Sequence, residues 1–137
     1  MAHVTEELVR NAYQALATGN KAEISKYWAE NMVWLVPGHN PLSGWYHGLD
    51  AFIAFMQRVG ELSGGSFKME VITVMVNDHY STDVTNNQGT RAGNPDLKLN
   101  IDVGHVLRWY DGKVIAGKGG IFGDGTTQYD QFWSARV

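Results

Sequence analysis

From Val4 onward apolar residues recur at helical spacing. Val4, Leu8, Ala12 and Leu16 form the stripe, Val9, Tyr13 and Ala15 widen it, and Gly19-Asn20 ends it. Thr5 stands where an N-cap belongs, and Glu6 and Glu7 occupy the first turn, where the helix dipole favours negative charge. A short second helix is predicted from about Lys21 to Trp28. Met32 to Val36 is a compact β-prone run stopped by Pro37-Gly38. Gly38 to Gly48, rich in Gly, Asn, Pro and Ser around Trp45 and Tyr46, reads as a structured loop. A third helix fits Asp50 to Leu62, with Phe52, Ile53, Phe55, Met56 and Val59 on its apolar face.

Beyond Ser63-Gly64-Gly65 the period shortens to that of strands. Phe67 to Val76, His79 to about Asn86, Leu97 to Tyr110 and Val114 to Phe122 are predicted strands. Asn77-Asp78 and Asp111-Gly112 mark hairpin turns, and Asn86 to Asp96 reads as a polar loop. Thr126 to Trp133 returns to helical spacing, with Tyr129, Phe132 and Trp133 on one face and Asp124 as the expected cap. Helices followed by a meander with one extra early strand argue an α+β domain spanning 1–137.

Composition changes this picture in three respects. Five Trp, six Tyr and five Phe in 137 residues exceed what a small core needs, so the surplus can line a cavity. The net charge of −3, with no block of like charges, argues against a nucleic-acid partner. The absence of cysteine excludes disulfides, thiolate metal sites and thiol nucleophiles. No His or carboxylate pair shows metal-ligand spacing, so no metal or organic cofactor is expected. The opening residues lack a basic-then-apolar segment and no apolar run approaches ~18 residues, so a cytoplasmic protein without a membrane span is expected.

The order of elements resembles the nuclear transport factor 2-like superfamily, and more closely its SnoaL-like branch. The resemblance is carried by Ala12-Tyr13-Gln14-Ala15-Leu16-Ala17-Thr18-Gly19-Asn20, by Val36-Pro37-Gly38 with Gly44-Trp45-Tyr46-His47-Gly48, by Tyr110-Asp111-Gly112-Lys113-Val114, and by Tyr129-Asp130-Gln131-Phe132-Trp133. It implies a curved, mostly antiparallel sheet wrapped around the N-terminal helices, a cone-shaped cystatin-like roll with an internal pocket. It also implies a frequent homodimer. A homodimer is expected too from the apolar residues on both faces of the late strands, such as Val106 and Leu107.

Fold alone does not assign a reaction. The positions that carry the catalytic Tyr, base and protonated Asp in ketosteroid isomerases fall on Ala12, Val36 and Gly104, and the acid of limonene-type epoxide hydrolases falls on Gly119. Neither mechanism carries over residue by residue.

The candidate proton carriers are therefore Asp102, His39 and His105. Asp102 faces the pocket if Gly104 takes the inward place of the relatives' Asp. On that reading Asp102 is the foremost internal acid; Ile101, Val103, Leu107 and Trp109 form the apolar alternate set, with His105 among them, and if that set faces the pocket instead Asp102 turns to solvent. Asp102 and His105 cannot both point inward on a regular strand. His105 is then either a hydrogen-bonded core histidine or a general acid/base. His39 follows Pro37-Gly38 at the expected pocket mouth.

Trp34 shares the direction of Val36 and is the foremost ligand-stacking candidate. Tyr13, Trp45, Phe55, Met56 and Gly104 complete the expected lining. The glycines around Gly117 and Gly119 fit close backbone approach or a widened pocket. Three functions remain open: a general acid/base enzyme acting on a hydrophobic, carbonyl-bearing small molecule, a non-catalytic binding domain, and a protein-interaction module.

Overall fold

The computed structural model describes residues 3–135. Helices α1 (Glu6–Ala17), α2 (Lys21–Ile24), α3 (Leu49–Leu62) and α4 (Gly125–Ser134) accompany strands β1 (Trp28–Val36), β2 (Gly44–His47), β3 (Lys68–Val76), β4 (Tyr80–Arg91), β5 (Asn94–Tyr110) and β6 (Lys113–Ile121). The strands form one sheet in the order β2-β1-β6-β5-β4-β3. All pairings are antiparallel except β1 with β6. This is the expected α+β architecture.

Local chemistry accounts for the element ends. The Thr5 hydroxyl accepts the Leu8 N–H at 3.1 Å, and the Asn20 side chain accepts from Ala22 and Glu23. The β5–β6 turn places both Asp111 (φ 49°) and Gly112 (φ 79°) in the left-handed region, the geometry of a two-residue hairpin.

The structure corrects three boundaries and one cap. The segment after Ile24 joins β1, which starts at Trp28, so the second helix is one turn only. Within the segment read as a loop, Gly44–His47 is a strand against β1. The polar stretch Asn86–Asp96 is a hairpin: β4 continues to Arg91 and β5 starts at Asn94. Asp124 holds the N-cap position of α4 without a side-chain cap bond.

The core lies between the inner face of the sheet and helices α1, α3 and α4. Trp28, Met32, Leu49, Phe52, Leu107, Val114 and Phe132 are nearly fully buried there. Arg91 is buried as well. Its guanidinium donates to the carbonyls of Phe132 (3.1 Å), Leu62 (3.3 Å) and Ala135 (2.6 Å), so one cation satisfies the C-terminal ends of both α3 and α4. Among the described residues no helix is long and apolar enough to cross a membrane.

Candidate active site

Alternation along β4 and β5 decides which side chains face the helices. On β5 the buried set is Leu99, Ile101, Val103, His105, Leu107 and Trp109. On β4 it is Ser81, Asp83, Thr85 and Asn87, an all-polar stripe turned toward the core. Asp83 and His105 are register partners. A buried polar group is costly unless bonded, and most of this stripe is bonded. Trp109 Nε1 donates to Ser81 at 2.8 Å. Asp83 is fully buried and accepts the Tyr13 hydroxyl at 2.6 Å and the Thr85 hydroxyl, and it lies 2.9 Å from His105 Nδ1.

The network fixes the imidazole. The Asp83 carboxylate already accepts two hydroxyls, so Nδ1 supplies the hydrogen of the third bond. That leaves Nε2 as an acceptor on the neutral ring. Nε2 has no protein partner among the described residues and is not sealed off, and His105 lines a cavity of about 600 Å³. The rings of Tyr13 (5.8 Å) and Trp34 (5.5 Å) flank it. Burial, and next the adjacent Asp83 charge, push the Tyr13 phenol well above its ordinary range, so it stays a neutral donor to Asp83.

The cavity wall is mostly apolar. Trp34, Val36, Phe52, Phe55, Met56 and Val103 build it, with Tyr129 and Trp133 from α4. Burial also raises the Tyr129 phenol, which remains protonated. Arg10, Lys68 and Glu70 border the same cavity. Two glycines of β6 make the space. A Cβ at Gly117 would stand 2.5 Å from Trp34 Cζ3, so only glycine lets that ring lie on the sheet. Gly119 borders the cavity directly.

Sequence reasoning and geometry part at several residues. Trp34, Tyr13, Val36, Phe55, Met56 and His105 stand on the cavity wall. Asp102 does not. It is exposed on the outer face, accepting from Asn86 Nδ2 at 3.0 Å, because the apolar alternates of β5 take the inner face. Gly104 shares that outer direction and lies under Phe122. Trp45 is 59% exposed and stacks on His47.

His39 is exposed beside a separate depression lined by Pro37 and Asn40. Asp130 of α4 holds this loop by accepting the His39 N–H and the Asn40 amide, each at 2.8 Å. Amphipathic patterning gives no sign of Asp83, because its strand alternates polar residues inward. Its signal was its place opposite His105 across the hairpin.

Comparison with known proteins agrees with this architecture. Residues 9–116 match the SnoaL-like domain. The chain belongs to the SnoaL-like domain family. The likeness to solved structures covers more of the chain than the matched segment. Bal32a, from a soil-derived mobile gene cassette, superposes with a TM-score of 0.83 at 27% identity, covering 93% of this chain and 94% of that one. A cystatin-like protein of unknown function from Xanthomonas campestris gives 0.81 at 22% identity, over 94% and 97% of the two chains. An uncharacterised Mycobacterium tuberculosis protein is 28% identical over 88 residues, 64% of this chain and 67% of its own length.

Proposed function

We propose that this SnoaL-like protein is an acid/base enzyme that moves a proton on a hydrophobic, carbonyl-bearing small molecule. The observation carrying this reading is the Asp83–His105 pair, buried on one side and open to an apolar cavity on the other. A carboxylate behind an imidazole fixes the tautomer and stabilises the imidazolium that forms on proton uptake. His105 Nε2 would take a proton from a carbon made acidic by a neighbouring carbonyl and return it elsewhere on the molecule. Trp34 and Phe55 would hold the apolar body against the imidazole.

A non-catalytic binding domain is the second reading, and one observation favours it. The Tyr13 hydroxyl is committed to Asp83, so it does not face a developing oxyanion beside His105.

Deuterium exchange separates the two. The protein is incubated in D₂O with bound benzo-fused cyclic ketones such as 2-tetralone, and loss of the α-protons is followed by NMR. The enzyme reading expects exchange above the buffer rate, lowered about 10²–10⁴-fold in His105→Gln. Binding without accelerated exchange across a panel of such ketones would leave the binding reading.

A further inference from the structure

Two buried polar atoms on the cavity wall have no hydrogen-bond partner among the described residues, Asn87 Oδ1 and Trp133 Nε1. Asn87 continues the inward stripe of β4, four residues beyond Asp83, and is 6% exposed. Its neighbour on β3 is Met69, and the Phe67 ring just before that strand lies 6.0 Å from the Trp133 ring. The two groups therefore belong to the same end of the cavity. Trp133 also packs edge-on against Tyr129 at 6.1 Å, and its Nε1–H lies close enough to the Tyr129 hydroxyl to check the rise of that phenol, but not in bonding geometry, so the donor is left for a better-placed acceptor. Leaving such groups unmet is costly, and folded proteins seldom do so without a reason.

The chemistry of the pair points to its occupant. An indole N–H only donates, and an amide both donates and accepts. A hydroxyl can accept from the first and donate to the second, whereas a methyl or ring edge can do neither. Four strand residues at ~3.3 Å each separate Asn87 from the Asp83–His105 pair by about 13 Å along β4.

We propose that Asn87 and Trp133 form a polar anchor for a ligand hydroxyl at the end of the cavity remote from His105. This deepens the proposed function: the ligand is elongated and apolar in the middle, with one polar group at the imidazole and an uncharged hydroxyl at the far end. The anchor selects the ligand and sets which of its atoms meets His105.

Two rigid probes test this without any turnover, so a failed exchange assay leaves the result standing. 4-Phenylphenol carries one hydroxyl and 4,4′-dihydroxybiphenyl one at each end. Titration calorimetry is expected to show the diphenol binding about tenfold tighter to the wild type, the weight of one buried hydrogen bond. In Asn87→Leu, close to isosteric, that preference should vanish. With its orphan amide gone, the ligand-free variant should melt about 2–4 °C higher. Equal affinity of the wild type for both probes, no binding of either, a preference that survives in Asn87→Leu, or a lower melting temperature in that variant would each overturn the proposal.

Discussion

Asp83 and His105 sit opposite one another on β4 and β5, and the 2.9 Å contact between them is one of three bonds that converge on a single buried carboxylate. The two strands are joined by the hairpin at Ala92-Gly93, so one register both builds the sheet and assembles the pair. Removing the carboxylate orphans the Tyr13 and Thr85 hydroxyls and the His105 Nδ1–H together. Asp83→Ala is expected to lower unfolding free energy by about 3–5 kcal/mol, the usual cost of breaking a buried pair from one side. Urea denaturation measures it, and a loss under about 1 kcal/mol would mean the network is not holding the core.

Gly117 and Gly120 offer a matched comparison on one strand. A Cβ at Gly117 meets the Trp34 ring, whereas one at Gly120 meets nothing within 4 Å. Gly117→Ala should destabilise by about 1–3 kcal/mol through overpacking, and Gly120→Ala should stay within about 0.5 kcal/mol. Ligand affinity should fall only in the first, since only that change displaces Trp34.

The alkaline limb of stability should carry the signature of the buried phenols. Tyr13 and Tyr129 have folded pKa values raised above the ordinary 10.0. Their contribution is therefore whole below about pH 10, where both states keep the proton. It declines as pH rises further, because the unfolded chain ionises first. Melting temperature followed from pH 8 to 11.5 should drop above pH 10. Tyr13→Phe should make that drop shallower, although it starts from a lower plateau. A slope unchanged by Tyr13→Phe would assign the alkaline loss to other groups.

The outer face of the sheet leads to an expected assembly. Met75 (56% exposed), Val106 (41%) and Phe122 (61%) lie on this face, opposite the cavity. We expect a second copy of the chain to cover it. Light scattering should give twice the chain mass, and Val106→Glu should shift the protein toward monomer. A monomer at tens of micromolar wild-type protein would argue against this assembly.

The legible part of the fold was its apolar periodicity. The stripe from Val9 to Leu16 and the face of Phe52 and Val59 located α1 and α3. The alternation of Trp34 with Val36 turned both toward the cavity. What stayed hidden follows from the same rule. β4 buries Asp83, Thr85 and Asn87 and leaves Val84 half-exposed, so its pattern runs opposite to that of an amphipathic strand, and its polar end reads as a loop. Asp102 was drawn inward by likeness to catalytic carboxylates at Gly104. The apolar set on the other face of β5 settles the direction, because burying Ile101, Val103 and Leu107 outweighs placing one acid.

Arg91 gives the architecture an order in time. Tyr129 and Trp133 belong to α4, which leaves the ribosome after every strand it covers. Until then the inner face of the sheet is an open trough, and the guanidinium that will hold both helix ends has only the carbonyls of Leu62 and Ala92 within reach. Docking of α4 supplies the Phe132 and Ala135 carbonyls and closes the trough in the same step. A chain that ends before Gly125 therefore lacks the Tyr129 and Trp133 side of the cavity wall and two of the carbonyls that hold Arg91.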